Sequence, residues 1–420
     1  MKPKIVKNQD GTMRSLSNRH VQMIAIGGTI GTGLFLGSGS TISKTGPSVM
    51  LVYLILGLFF FFMMRAIGEM FYADPTQHTF VSFISRYLGP TIGHFTGWTY
   101  WIGLVFVCMA ELTATATYVQ YWLPSVPAWI IELVFLGILV SVNLIAARLF
   151  GEAEFWFAMI KIIAIIAMIL TGVFMLINHS VTPLGHVSLT NISHDYTLFP
   201  HGIFNFIAAF PMVFFAFQGI EFVSITIGEA KSPHTVIKKA VNETLLRILL
   251  FYIGALVVIM IIIPWTSLSA NSSPFVQVFK LAGFPAAAAT INFVVLTSAA
   301  IAFTASLVLI TPIMSLTTAI SSVFTIVTGV SSDMYIIVYT LTLVAHRRYR
   351  ASTDFLPNGF IMPWYKITSP LTILFFGIIF ISLFFIPEDI VGAVGAICWT
   401  LIFGGIEFLR QGKTNLNNTN

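Results

Sequence analysis

The stretch IAIGGTIGTGLFLGSG, Ile24 to Gly39, has six glycines among its sixteen residues. Its flanks are apolar, so it reads as part of a membrane-crossing helix. Glycine nevertheless costs about 1 kcal/mol against alanine in a helix interior. Two pairs, Gly27/Gly31 and Gly33/Gly37, have the GxxxG spacing that lets membrane helices pack closely. A nucleotide-binding loop needs a strand before the glycines, which this apolar context does not offer. The other reading is a broken helix. Irregular backbone at membrane depth survives only where it is buried in protein or lines a cavity. There the freed N–H groups and the positive end of the next half-helix suit an anion, and the freed carbonyls suit a cation. Thr29 and Thr32 add hydroxyls. An amino acid, with a carboxylate and an ammonium on one carbon, matches such a break.

The rest of the chain supports the membrane setting. Of 420 residues, 57% are hydrophobic and 9% charged, with mean hydropathy +0.90, whereas soluble proteins carry about 25% charged residues. This composition predicts an all-α polytopic membrane protein. The two cysteines, Cys108 and Cys398, lie in apolar stretches and suggest no disulfide framework. The polar, basic residues 1–21 read as a cytoplasmic tail rather than a signal peptide. The net charge of +5 reports loop topology, not nucleic-acid binding.

A crossing needs about 20 mostly apolar residues. Candidate spans 1 to 6 are 22–42, 48–70, 95–122, 127–147, 155–177 and 204–228; spans 7 to 12 are 245–264, 284–300, 302–319, 323–345, 369–386 and 390–409. Lysine and arginine gather in the N-terminal tail, near Arg65, Arg86 and Arg148, from Lys231 to Arg247, at Arg347–Arg350 and at Arg410. Residues 178–204 contain neither. The positive-inside rule therefore expects both termini in the cytoplasm and an even number of spans. Residues 281–345 carry no Lys or Arg and one acid, Asp333, and must cross an odd number of times. Three crossings fit only with tight turns.

Such transporters pair one broken helix with a second at the matching place of an inverted repeat. Span 6 supplies it: FFAFQGIEFVSITIGEAKSP places Gln218, Gly219 and Glu221 in an otherwise apolar helix, with Phe215 and Phe217 beside them.

With RHVQMIAIGGTIGTGLFLGSG, KTGPSVMLVYLILG, RAIGEM, HFTGWTYW, FGEAEFWFAMIK, FFAFQGIEFVSITIGEAKSP and INFVVLTSAA in order over residues 16–300, the chain resembles amino acid permeases of the amino acid–polyamine–organocation superfamily, in the bacterial amino acid transporter branch. FGEAEFWFAMIK and INFVVLTSAA are especially similar to the D-alanine/D-serine/glycine permeases. The resemblance implies a LeuT-like five-plus-five inverted repeat with two added spans. The expected division is residues 1–21 tail, 22–180 first repeat, 181–345 second repeat, 346–410 spans 11 and 12, and 411–420 cytoplasmic tail. It implies a secondary active transporter in the cell membrane, not an enzyme, that imports a small neutral amino acid with a proton. Cofactor and metal are expected to be absent.

The resemblance places the substrate carboxylate at Gly31, Thr32 and Gly33, with Thr29 and Ile30 beside it. Phe215 matches the aromatic gate, and Phe217, Gln218 and Gly219 the second break. Glu111 stands where the nearest relatives carry an aspartate. After Ala300 the chain departs from the family: the inner part of span 8 and its basic loop are missing, which makes a transport-deficient or binding-only relative the alternative.

Charges inside the bilayer cost several kcal/mol and mark function by default. Lys161 could snorkel toward the cytoplasmic interface, roughly 10–15 Å away along the helix. The resemblance instead puts it where sodium-coupled relatives bind their ion. Glu111 is a proton carrier or a neutral hydrogen-bonding group. Glu221 either carries a proton or holds unwound backbone by accepting N–H bonds. His179, His186, His194 and His201 are scattered along one loop and make no metal constellation. A membrane-embedded enzyme would need clustered nucleophile motifs, and the sequence has none.

Overall fold

The structure is a computed structural model that describes residues 23, 26–146, 150–193, 196–227, 233–269, 272–283, 308–387 and 389–417. It is a helical bundle whose only described strands are a two-residue hairpin, Val181–Thr182 with Gly185–His186, between spans 5 and 6. Among the described residues, eight helices are long and apolar enough to cross a membrane.

Hydropathy locates the spans but not their ends. Span 2 is Val49–Ala73, span 3 Pro90–Val119, span 4 Ala128–Ala146 and span 5 Phe150–Ile177. Span 7 begins at Pro233, well before the expected 245, because its first turns are polar but still helical. Span 10 is Ile320–Arg350, span 11 Tyr365–Ser382 and span 12 Ile390–Asn417. The expected span 8, residues 284–300, and the departure after Ala300 lie outside the described residues. Span 9 is described from residue 308 and includes the helix Ile310–Thr317.

Span 2 is tied to span 3 by a short amphipathic helix, Phe80–Leu88, that buries Phe80, Phe83 and Ile84. Thr79 caps it by accepting from the Val81 N–H at 2.9 Å. Gly89, at φ +100°, ends it and Pro90 opens span 3. Span 10 packs along span 3, where Gly103 admits the Tyr335 ring.

Spans 1 and 6 are both broken. In span 1 the backbone leaves the helix at Ile30 and Gly31, and half-helix 1b restarts at Thr32, as Thr32–Phe35 then Gly37–Thr45. In span 6, half-helix 6a (Phe210–Phe217) ends at Gln218 and half-helix 6b (Phe222–Ile227) follows. Residues near the first break thus divide between the two readings of the glycine stretch. Gly31 is extended, at φ −132° and ψ −160°. Gly33, expected in non-helical backbone, is helical instead. Its role is close packing: a Cβ there would stand 2.6 Å from Ala216 Cα of half-helix 6a.

Candidate functional site

The two breaks meet. Gly219 has φ +92°, and a Cβ on it would lie 2.5 Å from the Gly28 carbonyl oxygen. Only glycine fits both the conformation and the approach.

Each break frees backbone groups that buried side chains must satisfy. On span 1, Lys161 of span 5 donates from Nζ to the Gly27 carbonyl at 2.9 Å. Lys161 is 7% exposed, so it does not snorkel to an interface. The Thr29 carbonyl accepts from the Tyr252 hydroxyl of span 7 at 3.0 Å, and the same hydroxyl lies 2.7 Å from the Ala216 carbonyl of span 6. Tyr252 therefore bridges both breaks. At the start of half-helix 1b, Glu111 of span 3 accepts from the Thr32 N–H at 3.3 Å and from the Thr32 hydroxyl at 3.0 Å through Oε1. Its other oxygen is buried with no hydrogen-bond partner among the described residues. A cation thus sits at the carbonyl end of the break and a carboxylate at the N–H end, as the helix dipoles require.

Glu221 organises the second break. Its Oε2 accepts from the Gly219 N–H at 3.0 Å and the Tyr339 hydroxyl at 2.6 Å, and its Oε1 from the Tyr100 hydroxyl at 3.1 Å. This is the backbone-holding role set out above. Gln218 accepts through Oε1 from Ser331 of span 10 at 2.8 Å, while its Nε2 is buried with no partner among the described residues. The Phe215 ring lies edge-on to Phe324 of span 10, with centroids 6.4 Å apart. Phe217 turns the other way, into Phe60 and Tyr53 of span 2 and Tyr252.

Thr29, Ile30, Gly31, Thr32, Gly33, Phe215, Gln218 and Gly219 accordingly lie around one crossing, with Glu111, Lys161 and Glu221 on its rim, while the Phe217 ring packs away from it. Sequence reasoning passed over Tyr252, Tyr339, Tyr100 and Ser331. Their signal was present: a hydroxyl in an apolar span needs a partner.

A family model described as amino acid permease matches residues 20–315. The chain belongs to the amino acid permease family. The permease is 44% identical to the DL-alanine permease SerP2 of Lactococcus lactis subsp. cremoris (strain MG1363), over 96% of each chain. It is 48% identical to the D-serine/D-alanine/glycine transporter of Escherichia coli (strain K12), over 68% of this chain and 61% of that one. A manganese transporter of Eremococcus coleocola shares the fold, with TM-score 0.55 at 12% identity over 94% of both chains. The permease thus has the LeuT-like fold that the family resemblance implies, and its family and relatives are transporters rather than enzymes.

Proposed function

We propose that the permease imports a small neutral amino acid of the alanine, serine and glycine class together with a proton, across the cell membrane and with both termini in the cytoplasm. The observation that carries the reading is the pair of unspent buried atoms at the crossing, Glu111 Oε2 and Gln218 Nε2. One is an acceptor suited to an ammonium and the other a donor suited to a carboxylate. Relatives named for alanine, serine and glycine support that class.

In this mechanism Glu111 stands in for the substrate's carboxylate on the Thr32 donors. A proton on Glu111 Oε1 weakens its hold there and leaves Oε2 to accept the ammonium, while the incoming carboxylate takes the freed N–H groups of Gly31, Thr32 and Gly33 with Gln218 Nε2 beside them. Lys161 replaces a metal cation at the Gly27 carbonyl, so sodium is not required. Closure of Phe215 over the substrate excludes water, and rocking of the two repeats delivers it to the cytoplasm. The test is uptake of labelled alanine, serine and glycine into proteoliposomes under imposed pH or sodium gradients. Uptake driven by the pH gradient and abolished in Lys161→Met is expected. Uptake that requires sodium and survives the substitution refutes the assignment of Lys161.

One observation favours the alternative of a transport-deficient relative. The alignment with the alanine permease runs over 444 positions, more than the 420 residues of this chain. The alignment therefore contains gaps in this chain, in keeping with a deletion, which the sequence reading puts after Ala300. Uptake by a variant that carries a family-like insert after Ala300, compared with the unaltered chain, decides between the two. Concentrative uptake by the unaltered chain that matches the insert variant removes the alternative.

A further inference from the structure

The crossing of spans 10 and 12 holds two carboxylates that the transport reading does not use. Asp333 of span 10 is fully buried, and neither of its oxygens has a hydrogen-bond partner among the described residues. Asp389, one residue before span 12, is 6% exposed. The two helices make room for these acids reciprocally. Gly329, one turn before Asp333, faces Asp389: a Cβ there would stand 2.7 Å from Asp389 Oδ1. Gly392, one turn after Asp389, faces Asp333: a Cβ there would stand 3.1 Å from Asp333 Oδ2. Each carboxylate lies over the other helix's glycine.

The surroundings do not neutralise two negative charges. On one side the seam continues into Val330, Met334 and Ala396, packed against Ile102 and Phe106 of span 3 and Trp399 of span 12. Tyr335 and Tyr339 of span 10 turn to the other face, beside Tyr100, and Tyr339 donates to Glu221. Half-helix 6a contributes Pro211 and Met212, which carry no charge. Half-helix 1b contributes a cation, Lys44, in its last turn, and among the described residues it is the one that lines the same cleft as Asp389. Lys44, Thr41, Thr325, Thr328 and Asp389 line one cleft. Glu388, the neighbour of Asp389 in the chain, lies outside the described residues.

One cation offsets one carboxylate, and a second ionised carboxylate in the same dry seam is costly. We propose that Asp333 and Asp389 hold one exchangeable proton between them, in a site separate from the substrate's, and that this proton keeps the seam of spans 10 and 12 closed against half-helix 1b. Bound, it is the donor that the Asp333 oxygens lack. It leaves through the cleft to water, and the seam then holds two negative charges against Lys44. Their repulsion parts spans 10 and 12 and redirects Lys44, so the half-helix that frames the substrate site is released. The site's sidedness rests on the reading that places both termini in the cytoplasm, which makes the cleft extracytoplasmic.

The test is infrared difference spectroscopy of the permease in liposomes, titrated with pH in the absence of any amino acid. It needs no transport, so its failure is distinct from failure of the symport reading. Apart from bands of Glu111 and Glu221, the wild type is expected to lose one further carboxylic-acid band as pH rises. Asp333→Asn and Asp389→Asn should each remove that band, and the double variant should remove nothing more. Lys44→Met, which leaves both acids in place, should move the step to more alkaline pH and serves if either asparagine variant misfolds. If neither asparagine substitution removes a titrating band that the wild type shows, the proposal is overturned. Two independent bands, one per aspartate, also overturn it, and so does a step that Lys44→Met leaves in place. Loss of the band on adding calcium or manganese alone also overturns it, in favour of a cation site.

Discussion

Gly219→Ala tests the meeting of the two breaks most directly. The new methyl faces two separate penalties. A left-handed conformation costs a non-glycine residue roughly 1–2 kcal/mol, and Gly219 sits at φ +92°. The methyl would also stand 2.5 Å from the Gly28 carbonyl oxygen and 2.8 Å from its carbon. Those atoms are backbone and cannot rotate away, so the clash resembles overpacking of a core, about 1–3 kcal/mol. Together the loss is about 2–5 kcal/mol, or the two half-helices must separate and break the Tyr252 bridge. Gly377 of span 11 is the control. It lies within a regular helix and a Cβ on it meets nothing within 4 Å. There alanine should be neutral or stabilise by about 0.5–1 kcal/mol. Thermal melting of the purified proteins, followed by intrinsic fluorescence and by monodispersity, reads both, and uptake reports the site. Gly219→Ala should melt lower and transport poorly, while Gly377→Ala matches or exceeds the wild type. If Gly219→Ala melts and transports like the wild type, the breaks do not touch as described and the argument fails.

Tyr252→Phe removes the hydroxyl that reaches the Thr29 and Ala216 carbonyls and leaves buried acceptors unsatisfied, at about 1–3 kcal/mol. The variant should fold, melt lower and show a raised KM for uptake, and an unchanged KM and melting curve would refute the bridge. Glu69→Ala strands Arg350, whose Nε lies 2.5 Å from Glu69 Oε1 and whose guanidinium stacks between Phe355 and Tyr365. Glu69 also accepts from the Met362 N–H at 2.7 Å, so this change should cost about 3–5 kcal/mol and lower the melting temperature more than Tyr252→Phe; the reverse ranking counts against a structural role for this ion pair.

What the sequence made legible was set by which physical quantity each feature depends on. Glycine density announced that the backbone of span 1 does something unusual, and Gln218-Gly219 announced the same for span 6, because backbone freedom is local. Which glycine breaks and which packs was not legible. Gly31 and Gly33 have alike neighbours in the chain, and the choice between them is made by Glu111, which draws the Thr32 N–H and hydroxyl, and by Ala216, which presses on Gly33. Both come from other spans. Span ends failed for a different reason: hydropathy measures the lipid thickness, whereas the helix of span 7 runs on through Lys238, Lys239, Glu243 and Arg247, where Glu243 and Arg247 pair at 2.9 Å. Asp333 was visible as the one charge of a long apolar stretch, yet its counterpart Asp389 lies 56 residues on and became visible only through the glycines that face the two acids.

The same contrast explains why the site's polar network escaped notice while its outline did not. A break exposes carbonyls and N–H groups whatever surrounds it, so the need for partners is fixed by spans 1 and 6 alone. The partners come from spans 3, 5, 7 and 10 only if the bundle closes in one particular way. Tyr252 is the clearest case: its hydroxyl is useful because the Thr29 and Ala216 carbonyls, 187 residues apart, both arrive within 3.0 Å of it. A phenylalanine there would pack equally well against Tyr53 and Phe217, so packing alone does not account for the tyrosine. The hydroxyl matters because it joins one broken helix from each repeat. Any motion that parts spans 1 and 6 must stretch or surrender at least one of its two contacts.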